Sequence, residues 1–368
     1  MPGLTFFVKL WICRSMLRHT LTICAILNFN NDINLRAPPR RQSKPNKIDV
    51  YWNIPTFQCE SQKLNFTALA DKYGFIQNPN NKFWGKNINI LYDPGNFPAI
   101  LKNTSTTVKR NGGVPQEGNL TDHLKVFNEF LDTMVPDQTF SGVGIIDFES
   151  WRPIFRQNFG TLSDYRTLSI SIEKQKHPTW PNNQLEKEAT RRFESSARKF
   201  MENTLLAAKN ARPYAIWGYY AYPYCFNMSP NNKRKQCPKE VLAENDRQKW
   251  LFQRVDNFYP SLYFEKVRLS ANDKMQMIEG RIEESMRIIK NISKRKNIIP
   301  YFWFKYQDKQ QEFVSKEDLF NSFSVLASSN INGLIIWGSS NDVNTKKKCF
   351  ELYQYIDNLL GPLLVHIF

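Results

Sequence analysis

The chain reads as an α/β protein, a closed or nearly closed β/α barrel in one domain. Three observations predict it. Short apolar, strand-like runs recur along the sequence, amphipathic helical stretches separate them, and aromatic and acidic residues gather where the runs end. Strands alternating with helices imply parallel strands joined by right-handed crossovers. The strand candidates are residues 48–54, 88–92, 143–147, 215–220, 260–264, 298–304 and 333–337. The first helix between them is expected over 119–134. The next spans 184–210, with Leu185, Ala189, Phe193, Ala197, Phe200 and Leu205 at helical spacing and Pro213 just past its end. Such a stripe is core packing. A third, over 272–290, turns Met275, Ile278, Ile282, Met286 and Ile289 to one side, and 317–328 and 349–360 complete the set.

A chain of 368 residues, 41% hydrophobic and 14% aromatic, can bury a large core, and no internal repeat or second domain is visible. Its formal charge of +16 is spread over short clusters such as Arg40-Arg41 and Lys346-Lys347-Lys348. None forms a long basic arm, and no helix-turn-helix, zinc-finger or RNA-recognition pattern occurs, so nucleic acid is not an expected partner.

The amino terminus reads as a leader over 1–34, followed by a Pro/Arg/Lys-rich linker over 35–47 and the barrel over 48–368. The apolar stretch near residues 21–27 is too short to span a bilayer, so stable membrane insertion is not expected. Sequons at Asn65, Asn103, Asn119, Asn227 and Asn291 are glycosylation candidates and agree with secretion. Beyond the leader four cysteines remain, Cys59, Cys225, Cys237 and Cys349, which allow three pairings. The short loop favours Cys225 with Cys237, leaving Cys59 with Cys349 to tie the two ends of the domain. Zinc competes as an explanation, but no Cys-x-x-Cys pair occurs and the four histidines are scattered, so neither a metal nor a cofactor is expected.

The most informative stretch is 142–149, Gly-Val-Gly-Ile-Ile-Asp-Phe-Glu. Side chains alternate along a strand, so Val143, Ile145, Asp147 and Glu149 share one side. Two acids then meet at the carboxyl end of a buried strand, where parallel α/β folds build active sites. Adjacent carboxyl groups do not both ionise cheaply, and a protonated acid beside an ionised one can cleave a glycosidic bond. An isolated Asp-x-Glu is also compatible with a turn and a helix cap. Aromatic residues favour the first reading, because Trp217-Gly218-Tyr219-Tyr220, Tyr222-Pro223-Tyr224, Tyr263, Tyr301-Phe302-Trp303 and Trp337 all fall at strand ends. Sugars present flat C–H faces that stack on such rings.

The run Asp147-Phe148-Glu149-Ser150-Trp151-Arg152-Pro153-Ile154-Phe155-Arg156-Gln157-Asn158 resembles the signature of hyaluronidases, most closely the bee and wasp venom enzymes. The resemblance also covers Tyr51-Trp52-Asn53-Ile54-Pro55-Thr56-Phe57, Leu91-Tyr92-Asp93-Pro94-Gly95, Asn111-Gly112-Gly113-Val114-Pro115-Gln116, Tyr306-Gln307-Asp308 and Ile336-Trp337-Gly338-Ser339-Ser340. It implies a distorted TIM-like barrel and a secreted, monomeric, cofactor-free enzyme. The implied reaction is retaining endo-hydrolysis of hyaluronan, with chondroitin as a second candidate, through attack by the substrate's own acetamido oxygen. Glu149 is then the acid/base and Asp147 the residue that orients the acetamido group. Tyr220, Tyr263 and Trp337 match the pocket around the N-acetyl sugar, and Tyr92, Asp93, Arg152 and Ser340 match groove positions. Arg152 would meet glucuronate carboxylates or pair with a buried acid. The family's two disulfides are the pairing favoured above, and Phe159 replaces a usual tryptophan. Two alternatives remain. A chitinase-like hydrolase would carry a third acid where this chain has Ile145, and an adhesion protein on the same scaffold would bind hyaluronan without cutting it.

Overall fold

The computed structural model describes residues 48–102, 106–292 and 295–368. The expected leader and linker, and Asn103, lie outside the described residues. The strands are β1 (Asp49–Asn53), β2 (Ile88–Tyr92), β3 (Ala99–Lys102), β4 (Thr107–Arg110), β5 (Val143–Asp147), β6 (Ile216–Tyr219), β7 (Asn257–Phe258), β8 (Asn297–Ile298), β9 (Tyr301–Trp303) and β10 (Gly333–Trp337). Three sheets, β1-β10-β9, β2-β5-β6 and β7-β8, are parallel, and β3-β4 is an antiparallel hairpin. Single parallel bridges, Tyr220 to Tyr259 and Ser261 to Tyr301, connect the sheets.

Two of the expected strands are corrected. Residues 260–264 form no ladder: pairing is confined to β7 and to the single bridges at Tyr259 and Ser261. The expected strand 298–304 divides into β8 and β9. Proline explains both breaks, because Pro260 and Pro300 have no amide hydrogen to give a ladder. Their carbonyls still serve, Pro260 accepting from Tyr301 N at 2.9 Å and Pro300 from Ile335 N at 2.9 Å.

Side-chain alternation divides the core into two layers. One face of the strands, including Val50, Trp52, Ile88, Ile90, Val143 and Ile145, packs with Tyr259, Tyr301 and Phe304. The other, with Leu91, Ile146, Trp217, Tyr219 and Phe258, packs against the helix Asn182–Ala211 through Phe193, Ala197, Phe200 and Met201. The helix Ser163–Lys176 is not expected from periodicity, because the residues it buries are Tyr165, Ser169 and Glu173, which make no apolar stripe. Glu173 is neutralised by Arg192. The expected helix over 349–360 is found as Lys346–Tyr355 running through a π turn into Gly361–Ile367.

Disulfides join Cys59 to Cys349 and Cys225 to Cys237, the pairing the sequence favoured. The sequon asparagines Asn65 and Asn119 are exposed helix N-caps whose side-chain oxygens accept from Ala68 N and Asp122 N, and Asn291 is exposed. Asn227 is a correction. It is 1% exposed, and its Nδ2 donates to the carbonyls of Lys235 at 2.7 Å and Met277 at 3.0 Å. The nitrogen that would carry a glycan is spent in the interior, so this fold has no room for one there.

A buried histidine sets a pH limit on stability. His123 is fully buried between Phe97 and Phe200, with Nε2 2.7 Å from Thr204 Oγ1. The Thr204 hydroxyl donates to Phe200 O, so it accepts from the imidazole, which is held neutral with the proton on Nε2. Burial, aided by Arg110, lowers the His123 pKa to about 3. The unfolded imidazole titrates near 6.5, so between these values the unfolded chain binds a proton that the folded chain refuses. This contribution is therefore present above pH ~6.5 and lost as pH falls towards 3, at about 1.4 kcal/mol per unit. Urea unfolding of wild type and His123→Gln at pH 7 and pH 5 checks it. The wild type loses more stability over that interval, and parallel losses count against the assignment.

Candidate active site

β5 points Val143 and Ile145 into one core layer and Ile146 and Phe148 into the other. Gly144 lies under the Trp217 indole, where a Cβ would come within 2.5 Å of the ring. The strand can lie this close only because position 144 has no side chain. Asp147 closes the β2–β5 ladder opposite Tyr92, and Asp93 N donates to Asp147 O at 2.7 Å. On the other flank Tyr220 N donates to Ile146 O at 3.0 Å. Three neighbouring strand ends thus deliver Tyr92, Asp147 and Tyr220 side by side.

Glu149, one alternation further, is solvent-accessible but closely flanked by protein. Both carboxyl groups have raised pKa values. Burial is the larger cause for Asp147, followed by the charges of Glu149 and Asp93. For Glu149 burial raises the pKa and the Arg152 charge opposes it. Each acid therefore resists ionising while its neighbour is charged, and the pair holds a proton to higher pH than a free carboxyl would. Asp147 Oδ1 is buried and has no hydrogen-bond partner.

The pair faces a set of stacked rings. Trp337 Nε1 donates to the Tyr92 hydroxyl at 2.8 Å, joining β10 to β2 across the site. Tyr263 stacks on Trp337 at 5.5 Å and lies 6.0 Å from Trp303 and 6.2 Å from Tyr220, centroid to centroid. The Tyr220 hydroxyl donates to Ser261 Oγ at 3.2 Å. Burial, and then the charge of Asp147 for Tyr92 and of Glu149 for Tyr220, pushes the two phenols well above their usual range, so both stay neutral.

The hyaluronidase family model matches residues 36–368. The chain belongs to the hyaluronidase family. It is 46% identical to a hyaluronidase of Apis mellifera over 335 residues, spanning 90% of this chain and 87% of that protein. Hyaluronidase A of Vespula vulgaris is 43% identical over 326 residues, 88% of this chain and 98% of its own. Among solved structures, bee venom hyaluronidase in complex with a hyaluronic acid tetramer is similar with a TM-score of 0.85 and 47% identity, over 87% of this chain and 99% of that one.

The remaining expected positions of this hyaluronidase chain differ in exposure and in partners. Ser340 is exposed on the turn after β10, where its hydroxyl accepts from Gln58 Nε2 at 3.1 Å. Asp93 forms a bidentate pair with Arg110, at 2.5 and 2.7 Å, in a left-handed backbone conformation (φ 44°). Its carboxylate is committed to that guanidinium, which shields part of the charge felt by Asp147. Arg152 has no carboxylate within 4 Å among the described residues, so the buried-acid alternative does not hold.

Three supporting groups were not singled out from the sequence. Arg110 gave a weak signal, lying directly before the Asn111-Gly112-Gly113 motif. Arg281 donates to Ser261 O and, with burial lowering its pKa to about 10, fixes the segment against which Tyr220 leans. It lies on a helix that carries charged residues along its length, Lys274, Glu279, Glu283 and Arg287 among them, and gave no signal. Asp342, buried, accepts from Trp303 Nε1 at 3.1 Å and from Ser339 N at 2.8 Å and lies 3.3 Å from Lys305 Nζ. It anchors both the Trp303 ring and the turn bearing Ser340.

Proposed function

We propose that the chain is an endo-acting, retaining glycoside hydrolase that cuts hyaluronan at the β-1,4 bond between N-acetylglucosamine and glucuronate by substrate assistance. The observation that carries this reading is the buried, unpartnered Asp147 Oδ1 beside Glu149, with Tyr92 opposite it in the ladder and Tyr220, next to the Tyr263 and Trp337 rings, at the adjoining strand end. An acetamido N–H is the donor that oxygen lacks, and an unpaired buried acceptor costs about 1–3 kcal/mol until it is met. In the first step Glu149 protonates the glycosidic oxygen, the C1–O bond breaks, and the acetamido carbonyl oxygen bonds to C1. Asp147 holds the acetamido group in line and offsets the positive charge of the oxazolinium that results. In the second step water adds to C1, its proton passes to Glu149, and the C1–O bond to the acetamido group opens. Two displacements at C1 leave the configuration retained.

The same reading takes the three parallel sheets as arcs of one distorted barrel. Two disulfides and the exposed sequons support an extracellular location. Asp147→Asn is expected to lower kcat by about a hundredfold or more, since it removes the charge that balances the oxazolinium. Proton NMR of fresh products is expected to show the β-anomer first. A near-normal rate for the variant, or an α-anomer first product, would remove the substrate-assisted assignment.

A further inference from the structure

Glu244 is a buried acid outside the catalytic pair whose side-chain hydrogen bonds go to the loop after β5. It lies on the helix Lys239–Arg247 and is 6% exposed. Its carboxylate accepts from Arg156 Nε, from Arg156 Nη2 at 2.8 Å and from Gln157 Nε2 at 3.0 Å. Arg156 is half-exposed and can turn to water. Gln157 cannot, because it is fully buried, and its Oε1 has no partner. Among the described residues the Gln157 side chain is therefore tied by Glu244 alone.

The main chain of Gln157 passes this tie on. Its carbonyl accepts from Arg152 Nη1 at 2.6 Å, and the neighbouring Asn158 Oδ1 accepts from Arg152 N at 2.8 Å. The same helix also reaches the ring beside the guanidinium. Asn245 Nδ2 donates at 2.8 Å to the carbonyl of Tyr224, whose ring centre lies 4.8 Å from the Arg152 guanidinium. One helix thus fixes Arg152 through two neighbours, and Arg152 faces Glu149, three positions earlier in the chain. Glu149 also meets the carboxyl of Asp147, with Asp93 beyond it, and the phenols of Tyr92, Tyr220, Tyr222 and Tyr224. Arg152 supplies the positive charge that opposes the effect of burial on Glu149. We propose that Glu244 is a positioning residue that, through Gln157 and with Asn245 beside it, holds the Arg152 guanidinium at the catalytic acid. The proposal rests on the reading of Glu149 as the acid/base. Moving a cation away from a carboxyl group makes that group keep its proton to higher pH, so cutting the tie shifts the alkaline limb of the rate profile upward.

The test is the pH profile of kcat/KM on hyaluronan, which reports the essential acid of the free enzyme. Arg152→Gln moves the alkaline limb up by about one unit, and Glu244→Ala moves it the same way by about half a unit. Gln157→Met cuts the tie from its other end, removes a single side-chain hydrogen bond and reproduces the Glu244→Ala shift. It takes the place of Glu244→Ala if that variant does not fold. Glu244→Gln, which keeps an oxygen for Gln157 Nε2, returns the limb most of the way to the wild-type position. When Glu244→Ala is added to Arg152→Gln, the limb stays where Arg152→Gln alone puts it, because the second change acts through the first. A Glu244 that only supports the fold lowers the melting temperature and leaves the limb in place. The proposal is overturned if the two shifts add, if Arg152→Gln moves nothing, or if Glu244→Ala and Gln157→Met both keep the wild-type limb. A wild-type chain that cuts no hyaluronan at any pH overturns instead the reading of Glu149 on which it rests.

Discussion

Glu149→Gln removes hyaluronan turnover while leaving hyaluronan binding nearly intact. The amide has the size of the acid and keeps the groove's shape, but it has no proton to give to the departing oxygen. General acid catalysis contributes about 10²–10⁴-fold, and the same side chain serves both steps, so the loss is expected at or beyond the upper end. The pH profile gives the second half of the test. Both carboxyl groups are raised, so activity requires a pair that has kept one proton and lost the other. As pH rises the pair gives up the proton it shares, none is left for Glu149 to donate, and the rate falls. As pH drops far enough to protonate both groups, the anion at Asp147 disappears and the rate falls again. The optimum is therefore mildly acidic, and any residual activity of Glu149→Gln lacks the alkaline limb. Viscometry with hyaluronan across pH 3–9, together with a binding measurement on the variant, decides the matter. A strictly alkaline optimum, or substantial turnover by the variant, contradicts the assignment of the acid.

Replacing both Cys59 and Cys349 by Ala costs more stability than replacing Cys225 and Cys237. The first pair is separated by 290 residues and the second by 12. On a chain-entropy account the longer cross-link restricts the unfolded chain by about 6 kcal/mol and the shorter by about 3. The longer one also has a structural place. Cys59 lies on the turn after β1 and Cys349 on the helix after β10, so the bond fastens the segments leaving the β1–β10 ladder. Gln58, next to Cys59, holds Ser340 on the turn after Trp337, so activity is expected to fail at a lower temperature in this variant. Thermal and urea unfolding of the two double variants gives the comparison, and equal losses would show that loop length is not what governs them.

The acid pair was legible because it depends on a local rule. Alternation along β5 puts Val143, Ile145 and Asp147 on one side, the same period carried two residues past the strand end brings Glu149 to Asp147, and β-branched residues on both sides mark the strand as buried. The cysteine pairing was legible because one short loop left a single partner for each remaining thiol. Pro260 and Pro300 were visible too, but apolar composition outweighed them in the expected strands, and the lost amide hydrogens decided the outcome. The helix Ser163–Lys176 was hidden because its inward face is Tyr, Ser and a paired Glu.

The sequence by itself determined the strand that ends in two acids, the helical stripes that cover it, and the aromatic residues available at the strand ends. Only the tertiary structure decided which of these residues meet. Trp337 and Tyr92 are joined across 245 positions, Asp93 is claimed by Arg110, Asn227 turns its nitrogen inward, and Arg152 is surrounded by rings instead of acids. The reason is physical. Periodicity fixes the face on which a side chain lies from its nearest neighbours alone, whereas hydrogen-bond partners and local dielectric are set by segments far away in sequence that folding brings alongside.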